Sequence, residues 1–293
     1  LMDRYEDTTP ASAGHSTRDR IYGSATSGRD GRRALAGIAL AATVFFLVGV
    51  VSLRQVADPG QATGLLESGI AVATDVDSVV AENHDALRQL VESSPAATFT
   101  IPDYPLDIYF TRDEITKSTD AQLRDLVIQR SAALVYAEGV PAFDRTGNQQ
   151  VGRFSSQGAL RFAVGQLSED THSLANLLSI VLVFATAASA CFLVLVGNGW
   201  GRLRSLGIAL LGGAIPGLIA AGLARLVADS VGGGDPFVGE LRNIAHTTLN
   251  VPLRNYTVAA GLGMVLTAMA VVFGLLEARI QGPVDDELDD ARV

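Results

Sequence analysis

Four long segments without a charged residue dominate the sequence and restrict the folds that the chain can adopt. They comprise residues 34–53, 173–201, 205–224 and 255–276, and each ends at a charged residue. An α-helix rises about 1.5 Å per residue and the hydrocarbon core of a bilayer is about 30 Å thick, so about 20 uncharged residues can cross it. One such segment is compatible with a buried core helix, but four in one chain predict a multi-pass membrane protein. The 48% hydrophobic and 18% charged composition agrees with this class.

The first apolar segment follows Arg32 and Arg33, a pattern that also occurs in exported precursors with a cleaved signal. The hydrophobic part of a signal peptide has about 7–15 residues and lies near the start of the chain. Here the apolar segment runs from residue 34 to residue 53, and the sequence after it, LRQVADPG, lacks a small-x-small cleavage site. We therefore expect an uncleaved membrane anchor.

The arginines indicate the orientation of the spans. Six arginines precede the first span, and Arg202 and Arg204 lie in the short loop between the second and third spans. Short positive segments stay in the cytoplasm, so we predict a protein of the cell membrane with both termini cytoplasmic. The long segment between the first two spans would then face the exterior.

These arguments predict an all-α membrane protein with four transmembrane helices and a helical extracytoplasmic domain inserted between helices 1 and 2. The predicted order is a disordered cytoplasmic tail (1–33), a first transmembrane helix (34–53), the extracytoplasmic domain (54–175), a second transmembrane helix (176–197), a third (205–227), an extracytoplasmic loop (228–254), a fourth transmembrane helix (255–277) and an acidic cytoplasmic tail (278–293).

Within the inserted domain, the spacing of apolar residues predicts one helix over residues 63–92. Three prolines over residues 95–105 then predict an extended or turning segment. Two capping boxes follow: Thr111 precedes Glu114 by three residues, and Thr119 precedes Gln122 by three. Each predicts the start of a helix, the second running from residue 120 to residue 138.

Leucine and valine spacing also continues across the boundary between the domain and the second span. The residues that share this spacing are Leu160, Val164, Leu167, Leu174 and Leu178. We therefore predict a single helix that enters the membrane from the domain and couples the two rigidly.

The charged residues are unusual in kind. The chain has 21 aspartates against 10 glutamates and one lysine, Lys117, against 21 arginines. A carboxylate-rich surface stays hydrated in concentrated salt, where self-repulsion is screened within about 3 Å. We expect an organism adapted to high salt.

Few side chains are candidates for chemistry. Glu169 and His172 are three residues apart, which places them on one helical face as a weak candidate metal pair; the alternative is a solvated helix end. The chain lacks the Gly-x-Ser-x-Gly, Walker, His-Glu-x-x-His and Cys-x-x-Cys motifs. We expect no catalytic residues, no cofactor, no enzymatic activity and no binding of nucleic acid.

The third span contains residues suited to helix packing. Gly213 and Gly217 are four residues apart and allow another helix to approach closely, and Pro216 predicts a kink. This surface favours packing within the bundle, with a homo-oligomer or a partner protein bound through the third and fourth spans as the alternative. Arg225, at the end of the span, is expected to reach the membrane interface; the alternatives are pairing with Asp229 or lining an outer vestibule.

The layout is similar in outline to the ligand-binding part of chemoreceptor-type sensors, although two further spans follow. We therefore expect a non-enzymatic accessory or sensor-like subunit in the lipid bilayer, whose helical domain binds a ligand or a partner. A channel or transporter subunit is the alternative, but the four charge-free segments lack the ionisable groups on which coupled transport depends.

Overall fold

The structure, a computed structural model, describes residues 17–74, 76–102, 104–143, 167–197, 199–230 and 236–280. The elements in these ranges are α1 (Thr17–Val56), α2 (Pro59–Ala73), α3 (Val76–Ser93), β1 (Thr98–Phe99), β2 (Phe110–Thr111), α4 (Arg112–Lys117), α5 (Asp120–Glu138), a 3₁₀ turn (Val140–Phe143), α6 (Glu169–Val196), α7 (Gly201–Ser230) and α8 (Pro236–Ile280).

Four helices of the described ranges are long and apolar enough to cross a membrane. The four segments are Gly31–Val56, Glu169–Val196, Gly201–Ser230 and Leu241–Glu277. Large apolar side chains remain exposed along α6, α7 and α8, as expected of surfaces that face lipid rather than water. The fold is that of an all-α, multi-pass membrane protein.

The long helices extend beyond the predicted spans at both ends of the bundle. Residues 17–33, predicted to be disordered, form the first part of α1, whereas residues 1–16 lie outside the described ranges. The predicted loop 228–254 is also largely helical, because α7 continues to Ser230 and α8 begins at Pro236. Proline suits the first turn of a helix, where no backbone N–H partner is needed. Most of the predicted acidic tail, residues 281–293, is not described.

The predicted continuous helix into the second span is wrong at Ser168. This residue has φ −89° and ψ 159°, and its side chain accepts a hydrogen bond from the Thr171 N–H, so it is the N-cap of α6. Acidic residues in the first turn stabilise such a start, and Glu169 and Asp170 supply them. The helix therefore begins at the boundary of the domain, while Leu160 and Val164 lie outside the described residues.

Helix α1 contacts the three other long helices, and α7 packs along α8. At one end of the bundle, the Arg33 guanidinium of α1 donates to the Ser205 hydroxyl at 2.6 Å and to the Gly201 carbonyl at 2.5 Å, both in the first turns of α7. The inserted domain lies at the other end of the bundle, which we call the domain side.

The two glycines of α7 lie at its closest contacts. A Cβ atom on Gly213 would lie 2.5 Å from the Ala41 carbonyl oxygen of α1, and one on Gly217 would overlap the ring of Tyr256 on α8. The Tyr256 hydroxyl also crosses to α1 and donates to the Phe45 carbonyl at 2.8 Å. Contacts within one chain therefore occupy both glycines. Pro216, between them, lies inside the helix.

The inserted domain, residues 59–143, contains four helices and a two-stranded antiparallel ladder in which Thr98 pairs with Thr111. Both predicted capping boxes are present, and α5 spans the predicted residues 120–138. The predicted helix 63–92 is divided into α2 and α3, because Thr74 ends α2 by bonding to the Ile70 carbonyl. The short ladder adds a β element to a domain predicted to be helical, and β1 lies within the segment 95–105 that was predicted to be extended or turning.

The core of the domain continues into the membrane bundle. Its buried residues include Phe110, Leu123 and Val135, which are almost inaccessible to solvent. Val56, at the end of α1, belongs to the same cluster, and Val251 of α8 packs against it. The domain is therefore seated on α1 and α8 through apolar contacts.

Glu114 joins three elements of the domain. Its carboxylate accepts hydrogen bonds from the Thr111 N–H at 2.8 Å and from the Arg130 guanidinium, which also lies over the Phe110 ring. Burial opposes ionisation, but the hydrogen bonds from Thr111 and Arg130 outweigh it and lower the pKa of Glu114 below 4.5. The ionised carboxylate thus holds α4 against α5.

Replacing Gly217 by leucine should destabilise the bundle by about 1–3 kcal/mol, because the side chain would displace Tyr256 from a close-packed contact. Gly222→Leu is the matched control, since a Cβ there meets no atom within 4 Å. Unfolding of the detergent-solubilised protein in increasing SDS measures the difference. Equal midpoints for the two variants would contradict the packing contact.

Glu114→Gln should make the domain less sensitive to acid. A group whose pKa is lowered on folding contributes stability above its ordinary pKa, and that contribution disappears as the pH falls through the lowered value. Thermal unfolding followed by circular dichroism, at neutral pH and below pH 4.5, should therefore show a larger acid loss for the native protein than for the variant. Asp113→Asn, which breaks an exposed pair with Lys117, is the control.

Candidate functional site

A cavity of about 560 Å³ lies where the membrane bundle meets the inserted domain. Three long helices and the turn before α6 line it, and it remains partly open. Its lining residues are Gly49, Ser52, Leu53 and Val56 of α1, Leu167, Ala224, Val227 and Ala228 of α7, and Leu241, Ile244, Ala245, Thr248, Leu249 and Pro252 of α8. Because Leu167 and Val56 also belong to the core of the domain, the cavity directly adjoins that core.

The wall of this cavity, as far as the structure describes it, carries no charged side chain. Ser52 and Thr248 are the two polar residues in the lining. The Ser52 hydroxyl donates to the Val48 carbonyl at 2.7 Å within α1, so its donor is used. Pockets of roughly 300–1,000 Å³ with apolar walls and a few polar groups are typical of small-molecule sites. The chemistry of the wall suits an apolar ligand.

A polar contact closes the seam between α1 and α8 beside the cavity. The Asn255 side-chain amide donates to the Ser52 hydroxyl at 3.0 Å and to the Gln55 side-chain oxygen at 2.9 Å. Hydrogen bonds between membrane helices contribute about 0.6 kcal/mol on average, up to about 1.7. Asn255 therefore fixes the register of α1 against α8 at the edge of the cavity.

Two polar pairs join α7 to α8 on the domain side. The Arg225 guanidinium donates to the Asn250 side-chain oxygen at 3.0 Å, and Asp229 pairs with His246 at 2.7 Å. The sequence offered Asp229 as the alternative partner of Arg225, but the structure gives each of them a different residue of α8. Both pairs are partly exposed, and they hold together the ends of the helices that enclose the cavity.

The domain is tied to the end of α1 by a tyrosine. The Tyr136 hydroxyl of α5 donates to the Ala57 carbonyl at 3.2 Å. Burial raises the pKa of this phenol, and the negative charges of Glu169 and Asp58 raise it further. The hydroxyl therefore keeps the proton that it donates, and α5 stays attached to the membrane helix one residue beyond Val56.

The weak candidate metal pair gains no further ligand among the residues that the structure describes. Glu169 and His172 lie in the first turn of α6, and no group of three or more His, Cys, Asp or Glu side chains that could hold a metal occurs in the described ranges. His84 is a core residue instead: its Nδ1 pairs with Asp120, and its Nε2 lies 3.4 Å from the Ile115 carbonyl oxygen. These contacts connect α3 to α4 and α5.

Comparisons with known proteins do not assign the chain to a family, so its class is inferred from its fold. No family model, no curated protein and no solved structure matches the chain. The fold and the site together define a multi-pass helical membrane protein with an inserted domain and an apolar cavity at the junction between them.

Sequence reasoning missed the cavity because its residues come from separate parts of the chain. One signal was present in α8, where Leu241, Ala245 and Thr248 recur at spacings of four and three before the charge-free segment begins. This pattern predicts an amphipathic helix in the region that was interpreted as a loop. Its neighbours in the cavity include residues 49–56 of α1, which are more than 180 residues away in the chain.

Replacing Asn255 by leucine should weaken the α1–α8 seam by about 1 kcal/mol, because Ser52 and Gln55 would lose their shared donor. Thr257→Val is the matched control, since the Thr257 hydroxyl bonds only within α8, to the Leu253 carbonyl at 2.7 Å. SDS-induced unfolding of the purified protein compares the two. A seam that does not depend on Asn255 would give the same midpoint for both variants.

Proposed function

We propose that the protein is a non-enzymatic, sensor-like membrane subunit that binds an apolar ligand in the junction cavity. The ligand would be a single acyl chain or a lipid-soluble molecule of similar size. The proposal refines the expectation from the sequence, that the helical domain binds a ligand or a partner, by placing the ligand where the domain and the bundle meet.

The observation that carries the proposal is the combination of volume and chemistry at the junction. About 560 Å³ of space at the junction is lined by apolar side chains, and such walls favour an apolar occupant over water. The cavity adjoins the domain-side surface of the bilayer, so a lipid-soluble molecule can enter it from the membrane. An acyl chain would cover these apolar walls without needing a charged partner.

Binding at this position could reach the domain through two contacts. Leu167 lines the cavity and belongs to the domain core, and Val56 does the same from the end of α1. A ligand that moves either residue changes the surface on which the domain sits. The Tyr136 bond to Ala57 would pass such a movement to α5.

The proposed orientation places the domain outside the cell. The short connection between α6 and α7 is positively charged, with Arg202 and Arg204 at its end, and such loops remain cytoplasmic. Both termini would then be cytoplasmic, and the protein would lie in the cell membrane. A thiol introduced at Gln89, on an exposed face of α3, should react with an impermeant maleimide in intact cells.

A channel or transporter subunit remains the second candidate. The contacts of α7 argue against a pore along its seams within one chain, because at Gly207 and Gly217 no space exists even for a Cβ atom. Ion flux through vesicles that contain the purified protein would favour this candidate over the sensor.

Replacing Ala245 by phenylalanine should fill part of the cavity and exclude the ligand. The probe is an uncharged fatty alcohol that carries a diazirine, incorporated into vesicles with the full chain. Photolabelling of native protein should concentrate on cavity residues such as Ile244 and Leu249, and Ala245→Phe should reduce that labelling at least severalfold.

Ala268→Phe is the matched control, because it makes the same change on an exposed part of α8. Labelling spread evenly over the exposed faces of α6 and α8, unaffected by Ala245→Phe, would contradict a bound ligand. A second readout is the distance between spin labels on Asp125 and on Arg279. A sensor requires this distance to depend on the fatty alcohol, whereas a passive lipid site does not.

A further inference from the structure

A second cavity, of about 500 Å³, lies on the other side of the α1–α8 seam and differs from the first in its chemistry. Arg54 of α1 and Arg254 of α8 both line it, together with Gln55 and Gln61. Asp58 is its one acidic residue. Two guanidinium groups from different helices therefore share one recess, with a surplus of one positive charge.

The two arginines differ from the others that hold this structure together. Arg33, Arg112 and Arg130 donate hydrogen bonds to carbonyl, hydroxyl or carboxylate oxygens. Arg54 and Arg254 are exposed, and neither makes a hydrogen bond or an ion pair to the part of the chain that the structure describes. Their donors are thus available to a group that enters the cavity.

Interaction with the helix dipole does not explain the positions of both arginines. Arg54 lies in the last turn of α1, where a positive charge favours the helix dipole. Arg254, in contrast, lies in the interior of α8, far from either end of that helix. A shared ligand accounts for the position of both residues, whereas the dipole accounts for one.

The cavity lies at the level of the membrane surface. Arg54 directly follows the charge-free segment 34–53, and Arg254 directly precedes the charge-free segment 255–276. Both guanidinium groups therefore lie at the end of a membrane-crossing segment on the domain side. Lipid phosphates occupy this level of a bilayer.

We propose that Arg54 and Arg254 form a binding site for the phosphate of an anionic phospholipid headgroup. Guanidinium groups present paired N–H donors that match the oxygens of a phosphate, and the amides of Gln55 and Gln61 lie within the same recess. Residues 54–175 carry 17 acids against nine bases, so free anions are repelled by most of the domain. A phospholipid is anchored by its acyl chains, which hold its headgroup at this depth despite that repulsion.

This site does not depend on the proposed function, since the apolar cavity lies on the opposite side of the seam formed by Asn255. The lipid would contact α1 and α8 together, as Asn255 does. Anionic lipid should therefore stabilise the pairing of these two helices from the membrane surface.

The experiment uses the full chain in nanodiscs of phosphatidylcholine with increasing phosphatidylglycerol, and native mass spectrometry counts the retained phosphatidylglycerol. Arg54→Gln and Arg254→Gln should each weaken retention about tenfold, since the hydrogen bonds of a guanidinium to a charged phosphate contribute about 1.5 kcal/mol or more, which corresponds to that factor. The double variant should lose most of the retained lipid. Arg279→Gln, which removes an exposed arginine from the opposite end of α8, should retain the native amount.

Asp58→Asn should change lipid retention in the opposite direction to the arginine variants. Asparagine still accepts the N-cap hydrogen bond that Asp58 accepts from the Gly60 N–H at 3.2 Å, so the start of α2 is preserved. Removal of the negative charge should increase retention of phosphatidylglycerol. Unchanged retention in the Arg54 and Arg254 variants, or equal losses in Arg279→Gln, would overturn the site.

A final arm distinguishes a headgroup from a soluble anion. Inorganic phosphate at millimolar concentration is added to nanodiscs of pure phosphatidylcholine, and thermal stability is measured for the native protein and for the double variant. We expect no shift that depends on the two arginines. A shift of that kind, with displacement of phosphatidylglycerol by phosphate, would assign the cavity to a soluble phosphate and overturn the lipid proposal.

Discussion

The close approach of α7 to its two neighbours is the contact on which the remaining structure depends. Lipid is as apolar as the helix surfaces, so membrane helices associate through tight packing and hydrogen bonds rather than through burial from water. At Gly213 the backbone of α1 lies against α7, and at Gly217 the ring of Tyr256 does the same from α8. These contacts hold α1 and α8 on α7, and the domain-side ends of the same three helices enclose the apolar cavity.

The inserted domain is an extension of this bundle rather than a tethered module. Its core includes Val56 and is covered in part by Val251, and Tyr136 bonds to the backbone just beyond α1. An apolar interface of this kind resists relative motion more than a polar linker does. The α1–α8 seam therefore has an unusual position, with the domain above it, an apolar cavity on one side and a cationic cavity on the other.

The sequence predicted the features that depend on local rules. Charge-free length located the four spans, and the capping boxes at Thr111 and Thr119 located α4 and α5 within a residue. The spacing of leucines wrongly predicted a continuous helix through Ser168, because the same spacing continues on both sides of the helix start. A serine followed by two acidic residues is a typical N-cap sequence, so this start was also visible in the sequence. The region before residue 255 was misinterpreted because its charges and glycines are typical of loops, whereas contacts with α2 and α7 support it as helix. The two cavities could not be predicted from the sequence, because each combines residues of the segment 49–61 with residues of the segment 241–254, which are 180 or more residues apart in the chain.

Helix α8 has 45 residues and is therefore about 67 Å long, more than twice the thickness of the hydrocarbon core. Its C-terminal part lies against α7 in the membrane, and its N-terminal part contacts α2 of the domain. Because α8 is this long, a small change of its tilt where Tyr256 packs on Gly217 would displace its N-terminal part by a larger distance. Pro252 lies between the two parts and has no backbone N–H to donate, so the helix lacks one hydrogen bond there and bends more easily at that point.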